Sequence, residues 1–362
     1  MKHLSFRDID WPLLLITLVI CVVGVVQIYS ATIDTNFHGS WWKQIIYLFG
    51  GLILMWVIMG IDYHTLLHWV FPLYFAAVFG LLVTYVVGEA AFGSRRWIPL
   101  GSGMRFQVSE FVKVVVVLLV ARYLNDLKTE DLEIGEGLKL AGLVLVPTVL
   151  VLKQPDLGTS LTYVAVLVTG AFIAGLRWKY VLVIAAVTVL VLPVSVHFLK
   201  DYQKARLVSF LDPERDPQGT GYQLIQSEIA VGSGGMFGKG VTKGTQTQLQ
   251  FLPVPHKDFI FSAFAEEHGF VGVVLLLSLY FVMIMRIVQN AQTAPDRAGM
   301  YICMGIAGLI LFHVLVNVGM VAGMMPVTGI PLPFMSAGGS SVWSSFLALG
   351  LVNNVRLRRF VN

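Results

Sequence analysis

The sequence predicts an all-α integral membrane protein of about ten transmembrane helices, on three observations. First, its 362 residues are 56% hydrophobic and only 13% charged, with a mean hydropathy of +0.77; a soluble domain carries about 25% charge. Second, apolar runs of membrane-spanning length recur along the chain, and one span takes about 20 residues. Third, the connectors are short except for 89–108 and 199–257. Ten spans would use about 200 residues, which leaves room for loops and one sizeable extramembrane segment. The chain reads as a single polytopic membrane domain, 1–362, with 199–257 as a large extracytoplasmic loop between helices seven and eight.

The runs fall at 12–30, 44–60, 70–88, 109–124, 138–152, 159–175, 180–198, 259–285, 299–324 and 337–355. Residues 1–10 form a short basic lead-in, and no small-residue cleavage site follows the first run. That run is read as a retained span rather than a removed signal peptide. Cys21 and Cys303 lie inside apolar runs and imply no disulfide framework. An even number of spans puts both termini on one side. Lys2, Arg7, Arg177, Lys179, Arg356, Arg358 and Arg359 make that side cytoplasmic by the positive-inside rule. About half of the Lys and Arg residues fall on the other side, mostly in the two long connectors, where an anionic ligand would account for them. The net charge of +4 is dispersed along the chain, which excludes nucleic acid as a partner and leaves membrane lipids as the surroundings.

Charge within a span costs about 2.5–3.5 kcal/mol per residue at a helix centre, so charged residues there need a reason. Glu110 and Lys113 open the fourth run one helical turn apart and share a face. They are either a self-neutralising structural pair or the polar wall of a lipid-headgroup site. Before them runs Gly93-Ser-Arg-Arg-Trp-Ile-Pro-Leu-Gly101. Paired arginines suit a diphosphate, because guanidinium offers forked donors to phosphate oxygens. Trp97 would stack on a sugar ring or anchor at the interface. Asp156, in Gln154-Pro-Asp-Leu-Gly-Thr159, is either a helix cap or a site carboxylate.

In the long connector, Ala230-Val-Gly-Ser-Gly-Gly-Met-Phe-Gly-Lys-Gly240 is not a phosphate loop. Ser233 stands where the first glycine is needed, and Gly240 follows Lys239 in place of Ser or Thr. Its glycines suit close backbone approach and tight turns. Lys204, Arg206, Lys239 and Lys243 make the connector locally basic. Asp258 stands where this connector meets an apolar helix, either as a cap or as a carboxylate aimed into a polar outer cavity. Pro253 and Pro255 restrict its approach, and Lys257 and Lys239 are expected to favour its ionised form. His313 and Asn317 lie one turn apart as interhelical hydrogen-bonders. The small-residue segment 328–341 would line a cavity or pack tightly.

Together these segments resemble the SEDS family (shape, elongation, division and sporulation), and most nearly its RodA branch. The resemblance runs over essentially the whole chain: Ile9-Asp-Trp-Pro12, Arg95-Arg-Trp-Ile98, Phe106-Gln-Val-Ser-Glu-Phe-Val-Lys113, Gln154-Pro-Asp-Leu-Gly-Thr159, Asp212-Pro-Glu-Arg-Asp-Pro217, Gly221-Tyr-Gln223, Gly232-Ser-Gly-Gly235, Gly238-Lys-Gly240, Gly244-Thr-Gln246, Phe251-Leu-Pro253, Asp258-Phe-Ile-Phe261 and Gly338-Gly-Ser-Ser341. It implies ten spans in the bacterial cytoplasmic (inner) membrane, both termini cytoplasmic and the active site extracytoplasmic. It implies polymerisation of lipid II into glycan strands for elongation and rod shape, with a class B penicillin-binding protein and other elongation-complex proteins as partners. The family's essential aspartate carries over onto Asp258, its arginine–tryptophan pair onto Arg96 and Trp97, and its fourth-span pair onto Glu110 and Lys113. Asp156, Arg206 and Lys239 join these as substrate-binding candidates. Val108, Lys257 and Ala337 depart from the residues the family often has.

The chemistry agrees with the resemblance. A donor sugar on a lipid diphosphate already has a good leaving group, so a single carboxylate suffices where glycoside hydrolases use two. Asp258 would act as general base, with inversion at the anomeric carbon. Basic residues would stabilise the departing diphosphate, with or without a divalent cation such as Mg or Mn. No other cofactor is implied. The rival readings are a flippase or transporter of the lipid-linked precursor and a non-catalytic scaffold. Transporters usually place their site at the midplane between internal repeats, and no repeat is visible here.

Overall fold

A computed structural model describes residues 8–35, 37–91, 94–99, 105–127, 131–176, 179–180, 182, 201–215 and 221–359. The fold is nearly all helical. In chain order it comprises α1 (Trp11–Thr32), α2 (Ser40–Gly60), α3 (Tyr63–His68), α4 (Val70–Val87), β1 (Glu89–Ala91), β2 (Ser94–Pro99), β3 (Arg105–Phe106), α5 (Val108–Asn125), α6 (Ile134–Lys153) and α7 (Leu157–Ile173). It continues with α8 (Asp201–Leu211), a one-turn 3-10 helix (Pro213–Arg215), α9 (Tyr222–Ser233), α10 (Thr245–Gln248), α11 (Ile260–Gln292), α12 (Arg297–Val321) and α13 (Gly339–Arg358).

Six of these helices, α1, α2, α4, α6, α11 and α12, are long and apolar enough to cross a membrane. α7 is apolar but shorter, at 17 residues. α5 and α13 match the fourth and tenth apolar runs and are more polar. The seventh run, 180–198, lies outside the described residues apart from positions 180 and 182.

Burial separates an inner set of helices from an outer one. In α12, 61% of the most apolar window is buried inside the protein, against 22% in α2 and α4. The outer helices therefore turn apolar side chains such as Phe75 and Phe79 outward, as suits a chain surrounded by lipid. Small residues bring helices close, as in membrane bundles generally. At Gly350 in α13, a methyl group would meet Ile58 Cγ2 of α2 at 2.2 Å.

The cytoplasm-facing ends on the sequence reading are tied by Asp10. Its carboxylate accepts from the Leu13 N–H (3.2 Å), starting α1 beside Pro12, and from Arg286 and Asn290 near the end of α11 (both 2.7 Å). Its own N–H donates to Asn353 of α13 (3.0 Å). Burial pushes this carboxyl up, but the bonds from Arg286, Asn290 and Leu13 and the charge of Arg356 outweigh it and hold it below the usual range.

Two departures from the sequence reading concern the long connectors. The first folds into a three-stranded antiparallel sheet, order β1-β2-β3, with Glu89 opposite Trp97 and Ile98 opposite Phe106. Strands of two, three and six residues are too short to show a period-two pattern. The second connector carries helices α8, α9 and α10.

Candidate active site

Three consecutive carbonyls deliver Asp258 to its place. The His256 carbonyl accepts from the Ala337 N–H (2.9 Å), the Lys257 carbonyl from Ser336 Oγ (2.8 Å), and the Asp258 carbonyl from Asn317 Nδ2 (3.0 Å). Asn317, on α12, also donates to the Ile330 carbonyl (2.8 Å). The segment leading into α11 is thereby laced to the 330–337 loop and to α12. Opposite it, Gly329 has φ +73°, a conformation that glycine adopts without strain. Its backbone lies close enough that a methyl group there would touch Asp258 Oδ2 at 3.5 Å.

The backbone of Asp258 is fixed, while its carboxylate is left available. Among the described residues no side chain hydrogen-bonds to it or forms an ion pair with it. Lys257 favours the ionised form of Asp258, as expected, but burial outweighs it. Burial pushes the carboxyl above its usual range, the charges of Lys257, Arg96 and Arg206 offset only part of that, and Asp156 adds to it. Lys257 is lowered by burial, against the attraction of Asp258, and Arg105 and Arg96 lower it further. Burial, then Lys257, pushes His256 down to about 4.

Arg96 lies on β2, its guanidinium 4.9 Å from the centre of the Trp97 ring and 3.3 Å from Asp156 Oδ1. Asp156 also caps α7, accepting from the Thr159 N–H (3.2 Å), and accepts from Gln107 Nε2 (2.9 Å). Its capping role and its pairing with Arg96 therefore coexist in one carboxylate. Arg206, on α8, lines a small cleft with Ser209, Phe210, Gln223, Leu224 and Val327.

Glu110 and Lys113 pair at 2.7 Å with side chains only 4% exposed. Lys113 also contacts His313 Nε2 (3.4 Å), and the other ring nitrogen of His313 lies 3.0 Å from the Pro331 carbonyl. The pair thus links α5, through α12, to the loop facing Asp258. Lys239 is placed differently from the other cations. Its ammonium donates to Glu266 (2.8 Å), Ser233 (2.8 Å) and Thr245 (2.7 Å). Arg105, which the sequence reading did not single out, joins the basic group through Lys257. Its position in the same basic connector as Arg96 was the available signal.

Among the described residues no group of three or more His, Cys, Asp or Glu side chains is disposed to hold a metal ion. Magnesium commonly binds through one or two carboxylates together with substrate phosphates, and Asp156 and Asp258 are the carboxylates that could serve.

The chain matches the FtsW/RodA/SpoVE cell cycle protein family over residues 11–359. It is 39% identical over 353 residues to the peptidoglycan glycosyltransferase MrdB of Escherichia coli K12, covering 97% of this chain and 94% of that one. It is 35% identical to the stage V sporulation protein E of Bacillus subtilis, covering 96% of each. Among solved structures it is similar to a chain of a peptidoglycan synthase complex that coordinates polymerization and crosslinking (TM-score 0.84, 35% identity, covering 98% of this chain and 99% of that one). It is also similar to the rod shape determining protein RodA of Thermus thermophilus (TM-score 0.73, 30% identity, covering 97% and 98%). With its multi-pass helical architecture and a match along nearly its whole length, the chain belongs to the FtsW/RodA/SpoVE, or SEDS, family, on the side of its RodA members.

Proposed function

We propose that this protein is a peptidoglycan glycosyltransferase that polymerises lipid II into glycan strands, with Asp258 as its general base. The observation that carries this reading is a carboxylate whose backbone is pinned on α12 and the 336–337 loop while no described side chain occupies its oxygens, with Arg96, Arg206 and Lys257 acting on it. An acceptor sugar hydroxyl gives its proton to Asp258 as its oxygen attacks the anomeric carbon of the donor. The carbon–oxygen bond to the diphosphate breaks, and the lipid diphosphate leaves with the electron pair. Attack opposite the leaving group inverts the anomeric centre. A carboxyl held above its usual range is, once deprotonated, a stronger base than an ordinary aspartate. Arg96 and Arg206 bind and neutralise the departing diphosphate. A Mg or Mn ion, when bound, would supply further neutralisation there.

The same reading puts the protein in the bacterial cytoplasmic membrane with both termini cytoplasmic, and the site and the 199–257 segment extracytoplasmic. Its partner is a class B penicillin-binding protein, a reading supported by the similarity to one chain of a complex for polymerization and crosslinking. The deciding experiment is purified protein with fluorescent lipid II, scored separately for polymer and for transbilayer movement. Polymer is expected. Movement without polymer would assign the chain to the flippase class.

A further inference from the structure

The glycine-rich segment that fails as a phosphate loop lies against a break in α11, where Gly269 adopts φ 64° and ψ −167°. Ser227 of α9 meets Ser262 of α11 at 2.8 Å. A methyl group on Gly234 would lie 2.1 Å from the Ala265 carbonyl oxygen. The Gly235 carbonyl accepts from the Phe270 N–H (2.8 Å), and the Met236 carbonyl from the Val271 N–H (3.1 Å). Positions 227, 234, 235 and 236 thus pair in rising order with 262, 265, 270 and 271, so α9 runs alongside α11 in the same direction.

The chain then reverses. The Lys239 N–H donates to the Glu266 carbonyl (3.0 Å) and the Gly240 N–H to the Glu267 carbonyl (2.9 Å). The N–H groups of Gln246 and Thr247 bind the Glu266 carboxylate (2.8 and 3.1 Å). Residues 222–247 form a half-hairpin whose tip, Met236-Phe237, is level with Phe270 and Val271.

That level can be measured against α1. The Glu267 carboxylate accepts from Gln27 (3.2 Å) and Ser30 (2.5 Å), close to the end of α1 at Thr32. At their other ends, Asp10 at the start of α1 is bonded to Arg286 of α11. The 22 residues of α1 span about 33 Å, close to a hydrocarbon core of about 30 Å. Glu267 therefore sits near one edge of the core, and Phe270 and Val271, three and four residues further toward the Arg286 end of α11, lie deeper.

At that depth Phe237 is 81% exposed and Met236 59% exposed, beside the exposed Phe270, Val274 and Leu275 of α11. The charge of Lys239 is turned inward and satisfied by Glu266, Ser233 and Thr245. Irregular backbone is tolerated in a bilayer only when its polar groups are paired within the protein, and here the carbonyls and N–H groups freed at Gly269 are bonded to the hairpin.

We propose that 222–247 is a re-entrant membrane element whose tip, Met236-Phe237, is inserted among the acyl chains of the outer leaflet. The depth stands whether or not Asp258 is the catalytic base, and only the word outer rests on the topology proposed above. The test uses full-length protein with Cys21→Ala and Cys303→Ala, carrying a nitroxide at Met236→Cys, at Phe237→Cys or, as the aqueous reference, at the exposed Gln250→Cys. In phosphatidylethanolamine–phosphatidylglycerol vesicles, both tip labels are expected to be several-fold more accessible to oxygen, relative to a water-soluble nickel chelate, than the label at 250. Nickel accessibility at the tip equal to that at 250 would overturn the proposal in favour of an aqueous loop. Low accessibility to both reagents would overturn it in favour of a protein-covered tip. Two tip positions are used so that disturbance by one label does not decide the outcome.

Discussion

Asn317 Nδ2 lies 3.0 Å from the Asp258 carbonyl and 2.8 Å from the Ile330 carbonyl, so one amide on α12 joins the two segments that face each other across the site. Replacing it, Asn317→Leu, leaves both carbonyls without that donor, a loss of about 1–3 kcal/mol where they are buried. The variant is expected to lose thermal stability in detergent and to polymerise about tenfold more slowly or worse, since small misplacements near reacting groups are costly. Unchanged turnover would mean that the 336–337 contacts alone hold Asp258.

Asp258→Asn keeps the size of the side chain and every backbone bond described above. It is expected to melt at the wild-type temperature and to lose at least about 100-fold in polymerisation, the usual scale for a general base. Near wild-type polymer formation by a folded Asp258→Asn protein would remove the base assignment.

Arg96→Gln tests the electrostatics. A base works when deprotonated, so turnover falls as pH drops through its pKa. Asp258 is pushed up by burial and held down in part by Lys257, Arg96 and Arg206. Removing the Arg96 charge is expected to raise that pKa further and move the acid limb of the pH–rate profile to higher pH, while weakening lipid II binding. A limb that stays in place, with unchanged binding, would separate Arg96 from the site.

His64 lies on α3, between two carboxylates, 2.9 Å from Asp62 and 2.6 Å from Asp296. Burial pulls its pKa down, but the hydrogen bonds and charges of Asp62 and Asp296 outweigh that and raise it above 6.5. The folded state thus binds the proton more tightly than the unfolded chain. The stabilisation is fully present below pH 6.5 and is lost as pH rises through the raised value. Melting in detergent is expected to weaken from neutral to alkaline pH in the wild type and to lose that component in His64→Gln.

Topology is open to cysteine labelling, because the native Cys21 and Cys303 are both free and buried. A cysteine at Asn362 is expected to react only after the cytoplasmic face is opened, and one at Gln250 in intact cells. Labelling of position 362 from outside would invert the proposed orientation.

The membrane class, the described apolar helices and the family motifs were legible in the sequence because they depend on local composition and on residue order. The helices α1, α2, α4, α6, α11 and α12 follow from runs of apolar side chains, which a lipid solvent selects whatever the neighbours. Asp258 was legible as a carboxylate at a span boundary, and Arg96, Trp97 and Asp156 as its companions in order. What those groups do to one another was decided by tertiary structure, because it depends on distance and burial between residues far apart in the chain. Only the fold showed that Asp156 caps α7 while pairing with Arg96. Only the fold showed that burial outweighs three positive charges at Asp258, that Lys239 is taken up by Glu266, and that Lys113 reaches His313 200 residues away. The glycines at 234–240 marked a close backbone approach without naming its target. The target is the break at Gly269, a backbone conformation that α11 adopts because the hairpin satisfies the hydrogen bonds it frees.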